Sequence, residues 1–248
     1  MRLVLALMAL GFLSATAAGA QDKLAERQRQ EAREHYRKGE ALMVEESFEK
    51  AAAEFRMATR LDPDYTLAFY SLGQASMILK RYDDAATAYE SCRDTIEARS
   101  MFDVRRRGES RQERADELRE IEAAIERWGG QDVPPTMITM RLRERRRLLE
   151  QQQEKDSINT VAVPAELSLA LGSAYYRLGR LEDAEREYLA AIAAEDETGG
   201  AHNNIAVIYM MTERYDEAKE SVRLAEEAGF RVNPLFKDDL EKRADARQ

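Results

Sequence analysis

Cysteine occurs once in the 248 residues, at Cys92, so an intrachain disulfide and a thiolate metal cluster are both excluded. The two histidines, His35 and His202, have no second ligand at i+4. That rules out a paired-histidine zinc helix, and no metal site is expected. Proline is scarce, with five in all, while alanine, glutamate, leucine and arginine dominate, a composition that favours helix over sheet. There is no cationic excess: the formal net charge is −9, so a general phosphate-binding surface is excluded and nucleic acid is not an expected partner. A glycine-rich phosphate loop and a nucleophile elbow around a serine are absent as well. Carboxylates are plentiful but interspersed with arginine, and no pair stands out as an acid and base couple. No catalytic residue and no cofactor is expected, and the chain does not read as an enzyme.

The first twenty residues carry a different pattern from the rest. Met1-Arg2 is a short positive start, Leu3 to Leu13 is apolar, and Ala18-Gly19-Ala20 is a small-x-small cleavage signature. This predicts a secretory signal peptide cleaved at about Ala20/Gln21. The product is expected to be exported, periplasmic or extracellular, with no stable membrane insertion. No later run is long and apolar enough to span a bilayer. With 44% hydrophobic and 34% charged residues, the remainder has a globular balance. Cys92 reads as a buried, inert thiol.

What is present is a repeat. Gly39 and Gly73 lie 34 residues apart, as do Ala51 and Ala85, Phe55 and Tyr89, Tyr175 and Tyr209, Ala184 and Ala218, and Ala191 and Ala225. Within each unit a small residue in a first helix (Gly39, Gly73, Gly172, Ala206) lets a second helix approach. A small residue early in that second helix (Ala51, Ala85, Ala184, Ala218) meets it. Four residues on, a larger apolar side chain (Phe55, Tyr89, Tyr188, Val222) fills the gap on the same face. The turns KRYDDA, GRLEDA and ERYDEA end first helices and offer acidic residues to the N-termini of second ones.

A helix–turn–helix period of 34 resembles the tetratricopeptide repeat. The resemblance covers units 32–65, 66–99, 165–198 and 199–232. It implies an all-α fold: a right-handed α-solenoid of four helix pairs in two blocks, like the exported bacterial members of the family. The usual tryptophan of the first helix is replaced here by His35, Phe69, Ser168 and His202.

Residues 100–164 match no unit. Glu97 replaces the proline that closes the first unit at Pro63, so the last helix of the second unit has no stop before Gly108, where a bend is expected. A helix from about 109 to 128, with Leu118, Ile121, Ile125 and Trp128 as a heptad-like seam, is followed by the turn GGQDVPP and a helix over about 136–154 seamed by Ile138, Leu142 and Leu149. This predicts a long, charged antiparallel helical hairpin with coiled-coil character between the two blocks. RLRERRR, residues 141–147, is strongly basic. Residues 100–156 nevertheless carry thirteen basic and thirteen acidic side chains, so pairing with the acidic helix explains it better than an anionic ligand does. Residues 21–31 read as a polar lead-in, and 233–248 as a capping helix and tail, with Val232, Leu235, Phe236 and Leu240 on one face.

Proteins of this family bind partners on the concave face lined by first helices. By that resemblance the groove positions are Arg33, Tyr36, Arg37, Glu40, Tyr70, Ser71, Gln74, Ser173, Tyr176, Arg177, Asn203, Asn204 and Met210. The lysine and asparagine clamp with which some members grip a C-terminal carboxylate is missing, because Tyr36, Glu40 and Ser71 stand in its place. The expected function is a non-enzymatic scaffold or adaptor of the cell envelope that binds a protein or peptide in the groove. The alternative is a structural component that forms homo-oligomers through the hairpin.

Overall fold

A computed structural model describes residues 2–128, 137–155, 163–194 and 199–246, with the backbone alone for residues 2–20. Every regular element among the described residues is an α-helix, and those of the four repeat units build a helical solenoid. The first helices of the four units are α1 (Arg2–Val44), α3 (Thr66–Ile78), α6 (Ala165–Arg177) and α8 (Gly199–Met211). The second helices are α2 (Phe48–Leu61), α4 (Tyr82–Trp128), α7 (Leu181–Ala194) and α9 (Tyr215–Glu227); α5 (Met137–Lys155) and α10 (Pro234–Asp245) lie outside the units. Among the described residues no helix is long and apolar enough to cross a membrane.

The four units share one turn, to the hydrogen bond. In each, an amide bonds back five residues: Ser47 to the Leu42 carbonyl (2.8 Å), Arg81 to Ser76 (2.8 Å), Arg180 to Tyr175 (2.9 Å) and Arg214 to Tyr209 (2.8 Å). This is the Schellman closure, which needs a left-handed residue just before the bonded amide. That residue is Glu46 (φ 57°), Lys80 (φ 58°), Gly179 (φ 75°) or Glu213 (φ 61°). Only the third unit uses the glycine that makes the conformation cheap. The carbonyls of Ser47, Arg81, Arg180 and Arg214 then accept from Ala51, Ala85, Ala184 and Ala218, starting each second helix in the same register.

Those alanines are fully buried, and the aromatic rings four residues on press against the glycines of the first helices. A Cβ on Gly39 would lie 2.5 Å from Phe55 Cε1, and one on Gly172 would lie 2.7 Å from Tyr188 Cε1; Gly73 and Tyr89 are in the same relation. The small-to-large pairing is therefore steric. Three residues further along, Ala58, Cys92, Ala191 and Ala225 hold one equivalent buried slot. Cys92 thus occupies an alanine position and donates its thiol to the Thr66 carbonyl at 3.3 Å.

The chain divides into two compact units, residues 1–95 with 163–248, and residues 96–162. The two repeat blocks, far apart in sequence, belong to the same unit. They are joined by an ion pair between Arg93 of α4 and Glu187 of α7 (2.7 Å) and by a hydrogen bond from the Tyr175 hydroxyl of α6 to Glu90 of α4.

In the other unit the expected bend at Gly108 is absent: α4 continues as one helix of 47 residues, about 70 Å at 1.5 Å per residue. Glycine in a helix interior costs only about 1 kcal/mol, too little to interrupt a hydrogen-bond ladder with no proline or cap nearby. Nothing lies within 4 Å of where a Gly108 Cβ would stand. Arg145 of the basic run pairs with Glu117 of α4 at 2.8 Å, and Ile121 and Leu149 are buried. The turn GGQDVPP and the side chains of Trp128 and Ile138 lie outside the described residues.

Helix α10 starts on an Asn233 cap, whose side chain accepts from the Leu235 amide at 3.0 Å, with Pro234 in the first turn. It buries Leu240 and Ala244, and Lys237 bonds Glu226 of α9 at 2.6 Å. Val232 is buried as expected, but Leu235 is 75% exposed and does not share that face.

Candidate functional site

The thirteen groove positions all fall on first helices: Arg33, Tyr36, Arg37 and Glu40 on α1, Tyr70, Ser71 and Gln74 on α3, Ser173, Tyr176 and Arg177 on α6, and Asn203, Asn204 and Met210 on α8. Arg33, Arg37, Glu40, Gln74 and Arg177 are exposed. Tyr36, Tyr70, Ser173, Tyr176, Asn203, Asn204 and Met210 are half-buried, as suits side chains that support a surface while belonging to it. Ser71 departs from the expectation. It is buried and serves the surface indirectly, through a hydrogen bond with Tyr36.

Two groups of these residues come together. At the N-terminal end, the Tyr36 ring lies 5.7 Å from Phe55 and 5.1 Å from Tyr65, centroid to centroid, and its hydroxyl also bonds Glu40. Burial raises the hydroxyl pKa of both Tyr36 and Tyr65, while Arg33 and Arg37 pull that of Tyr65 the other way. The next helix carries Tyr70, stacked 5.6 Å from Tyr89 and hydrogen-bonded to Gln74. Its pKa is raised by burial and then by the charge of Glu166 on α6.

The second group lines a cleft of about 170 Å³, formed by Ser173, Tyr176 and Arg177 of α6, Tyr188 of α7, and Asn204 and Val207 of α8. The Ser173 hydroxyl donates to the Leu169 carbonyl at 2.8 Å and receives the Tyr188 hydroxyl at 3.4 Å. Burial raises the Tyr188 pKa, partly offset by hydrogen bonding with Ser173 and Asn204. The Asn203 amide donates to Asn204 Oδ1 at 3.2 Å. Among the described residues no contact brings Met210 into either group.

Tyr65, Tyr188 and Val207 were not expected in the surface. Tyr188 had a purely packing role in the sequence reading. The signal for its second role was its hydroxyl: the first unit fills the same position with Phe55, so a tyrosine there must find its oxygen a partner.

The chemistry available is hydrogen bonding, stacking and the guanidinium groups of Arg33, Arg37 and Arg177. Burial lifts the Cys92 thiol to about 11, leaving it protonated and unreactive at neutral pH. His35 Nδ1 lies 2.6 Å from Glu54 Oε2, and burial lowers the pKa of His202. Among the described residues no three His, Cys, Asp or Glu side chains converge to hold a metal ion.

The tetratricopeptide repeat family matches residues 36–94 and 169–229, one segment in each block. No curated protein matches the chain by sequence. Among solved structures it is similar to TTC0263, a thermophilic TPR protein of Thermus thermophilus, at 21% identity over 87% of this chain and 98% of that one, with a TM-score of 0.33. It is also similar to YrrB, a TPR protein with an unusual peptide-binding site, at 16% identity over 84% and 91% of the two chains and a TM-score of 0.27. A third is PilW, a widely conserved type IV pilus biogenesis factor, at 13% identity, 82% and 79% coverage and a TM-score of 0.38. The family is generally non-enzymatic and typical of protein–protein interaction scaffolds. With four turns of one geometry and the family match falling on both blocks, residues 36–94 and 169–229 are tetratricopeptide repeats.

Proposed function

We propose that the protein is a non-enzymatic adaptor of the cell envelope that holds a protein or peptide segment against its first helices. What supports this is that α1, α3 and α6 each carry a half-buried tyrosine (Tyr36, Tyr70 and Tyr176) and α8 two half-buried asparagines (Asn203 and Asn204) at the expected groove positions. They are anchored from below and open from above, the arrangement in which a few aromatic and polar side chains supply most of the binding energy. Export follows from the apolar and small-residue pattern of residues 1–20. It is tested by fractionating cells and sequencing the N-terminus, which is expected to be Gln21.

For the groove, the test is crosslinking and capture from the cell envelope with the wild-type chain and with Tyr176→Ala/Asn203→Ala, whose side chains are half-buried supports of the surface. Loss of the captured partners in the variant, with an unchanged circular dichroism melt, is the expected result. Equal capture by both proteins sinks the groove.

A second reading rests on the insert. Met101, Phe102 and Val104 of α4 and Met137 and Met140 of α5 are all exposed, an apolar content suited to self-association. Light scattering decides it: Phe102→Ser/Met101→Ser lowers the mass if copies associate there.

A further inference from the structure

The cleft between α6 and α8 is lined by a serine, two tyrosines, an asparagine, a valine and Arg177, with no carboxylate among them. In these two repeats Arg180, Arg186, Arg214 and Arg223 each hold a carboxylate of this chain. Arg177, exposed at the cleft, has no carboxylate partner among the described residues. The same is true of Arg33 and Arg37, which flank Tyr65 at the other end of the groove, where the nearby Glu40 is engaged by Tyr36. In a chain of net charge −9, the groove thus keeps three exposed arginines that make no ion pair among the described residues, with Arg177 facing a cleft that has no carboxylate in its lining.

We propose that the occupant is an acidic segment, with an aspartate or glutamate side chain seated on the Arg177 guanidinium and further acidic residues drawn toward Arg33 and Arg37. This rests on the groove reading above and names its partner's chemistry. A guanidinium presents a planar fork that matches a carboxylate with two parallel hydrogen bonds, so one arginine is sufficient for a side-chain acid. Capture of a chain terminus asks for several converging donors, and here the neighbours are already committed. The Ser173 hydroxyl donates to the Leu169 carbonyl, and the Tyr188 hydroxyl donates to Ser173. The remaining wall, Tyr176, Tyr188 and Val207, offers apolar and aromatic surface to the stem of the acidic residue and its neighbours. Unpaired cations also steer an acidic partner in and repel a basic one, which gives the groove selectivity before contact.

The test uses an array of randomised dodecapeptides, each synthesised with a free and with an amidated carboxyl terminus. It is probed with the full chain, with Arg177→Gln, with Arg186→Gln and with Tyr176→Ala/Asn203→Ala. The expected result is capture enriched in Asp and Glu over Asn and Gln, equal for both forms of the terminus. Capture should weaken about tenfold in Arg177→Gln, the size of a charged hydrogen-bonded contact, and stay unchanged in Arg186→Gln, whose guanidinium is held by Asp183. Replacing the captured acid by its amide should cost about the same, and the two changes together no more than either alone. Capture without acidic enrichment, insensitive to Arg177→Gln, or dependent on a free terminus overturns the proposal. If such capture is still lost in Tyr176→Ala/Asn203→Ala, the groove stands and only its acidic occupant falls. If that variant captures as wild type does, or the wild-type chain captures nothing, both fall.

Discussion

Phe55 presses on Gly39 so closely that a Cβ at residue 39 would stand 2.5 Å from the ring. The contact recurs between Gly172 and Tyr188, while the fourth unit carries Ala206 and Val222 at the same register, the lost ring volume making room for the methyl. Alanine is normally the better helix former, so Gly39→Ala in an open helix would stabilise by about 1 kcal/mol. Here overpacking wins, and we expect a loss of about 1–3 kcal/mol in urea unfolding. Gly39→Ala/Phe55→Val, which copies the fourth unit, should recover part of it. Additive losses in the double variant would refute the steric account.

The four turns offer a comparison inside one molecule. Lys80 and Gly179 sit in the same left-handed conformation, one with a Cβ and one without. Lys80→Gly should raise stability by roughly 0.5–1 kcal/mol, since the strain of about 1–2 kcal/mol relieved exceeds the added freedom of the unfolded chain. Gly179→Ala should lower it by a similar amount. Thermal melts of the two variants moving in the same direction would contradict this.

Glu187 is buried beside Arg93, and its pKa is raised because loss of water outweighs the attraction of the guanidinium. Its stabilising contribution is therefore full below the unfolded value of 4.5 and declines as the pH rises through the higher folded value. Replacement by glutamine removes the charge while keeping a polar group for Arg93. At pH 7 Glu187→Gln should be as stable as wild type or more so, and the difference should close as the pH approaches 4.5. A loss above about 1 kcal/mol at pH 7 would mean that the ion pair, not desolvation, dominates.

Cys92 fills a slot that three other units give to alanine, so Cys92→Ala should cost less than about 1.5 kcal/mol. Burial and a pKa pushed up to about 11 should leave the thiol silent toward a disulfide reagent at pH 7 until denaturant is added. Rapid labelling of the native chain would show that the slot opens.

Sequence alone determined what is local and periodic. A spacing of 34 between small residues, with a large one four residues further on, specifies a helix pair and its register, because close packing between neighbouring helices admits few sizes at each contact. The thirteen groove positions came from the family resemblance and not from the period itself. The left-handed turn residues came from neither, since Glu46, Lys80 and Glu213 are not residues that advertise a positive φ. Only tertiary structure decided that the two blocks form one unit, because that depends on Glu90 meeting Tyr175 and Arg93 meeting Glu187 across separations of 85 and 94 residues that no local pattern encodes. It also decided that Ser71 turns inward, that Tyr188 sends its hydroxyl into the cleft, and that Arg177 lacks, among the described residues, the carboxylate its neighbours have. Such outcomes depend on which side chains from distant helices arrive beside each other, and a one-dimensional period carries no record of them.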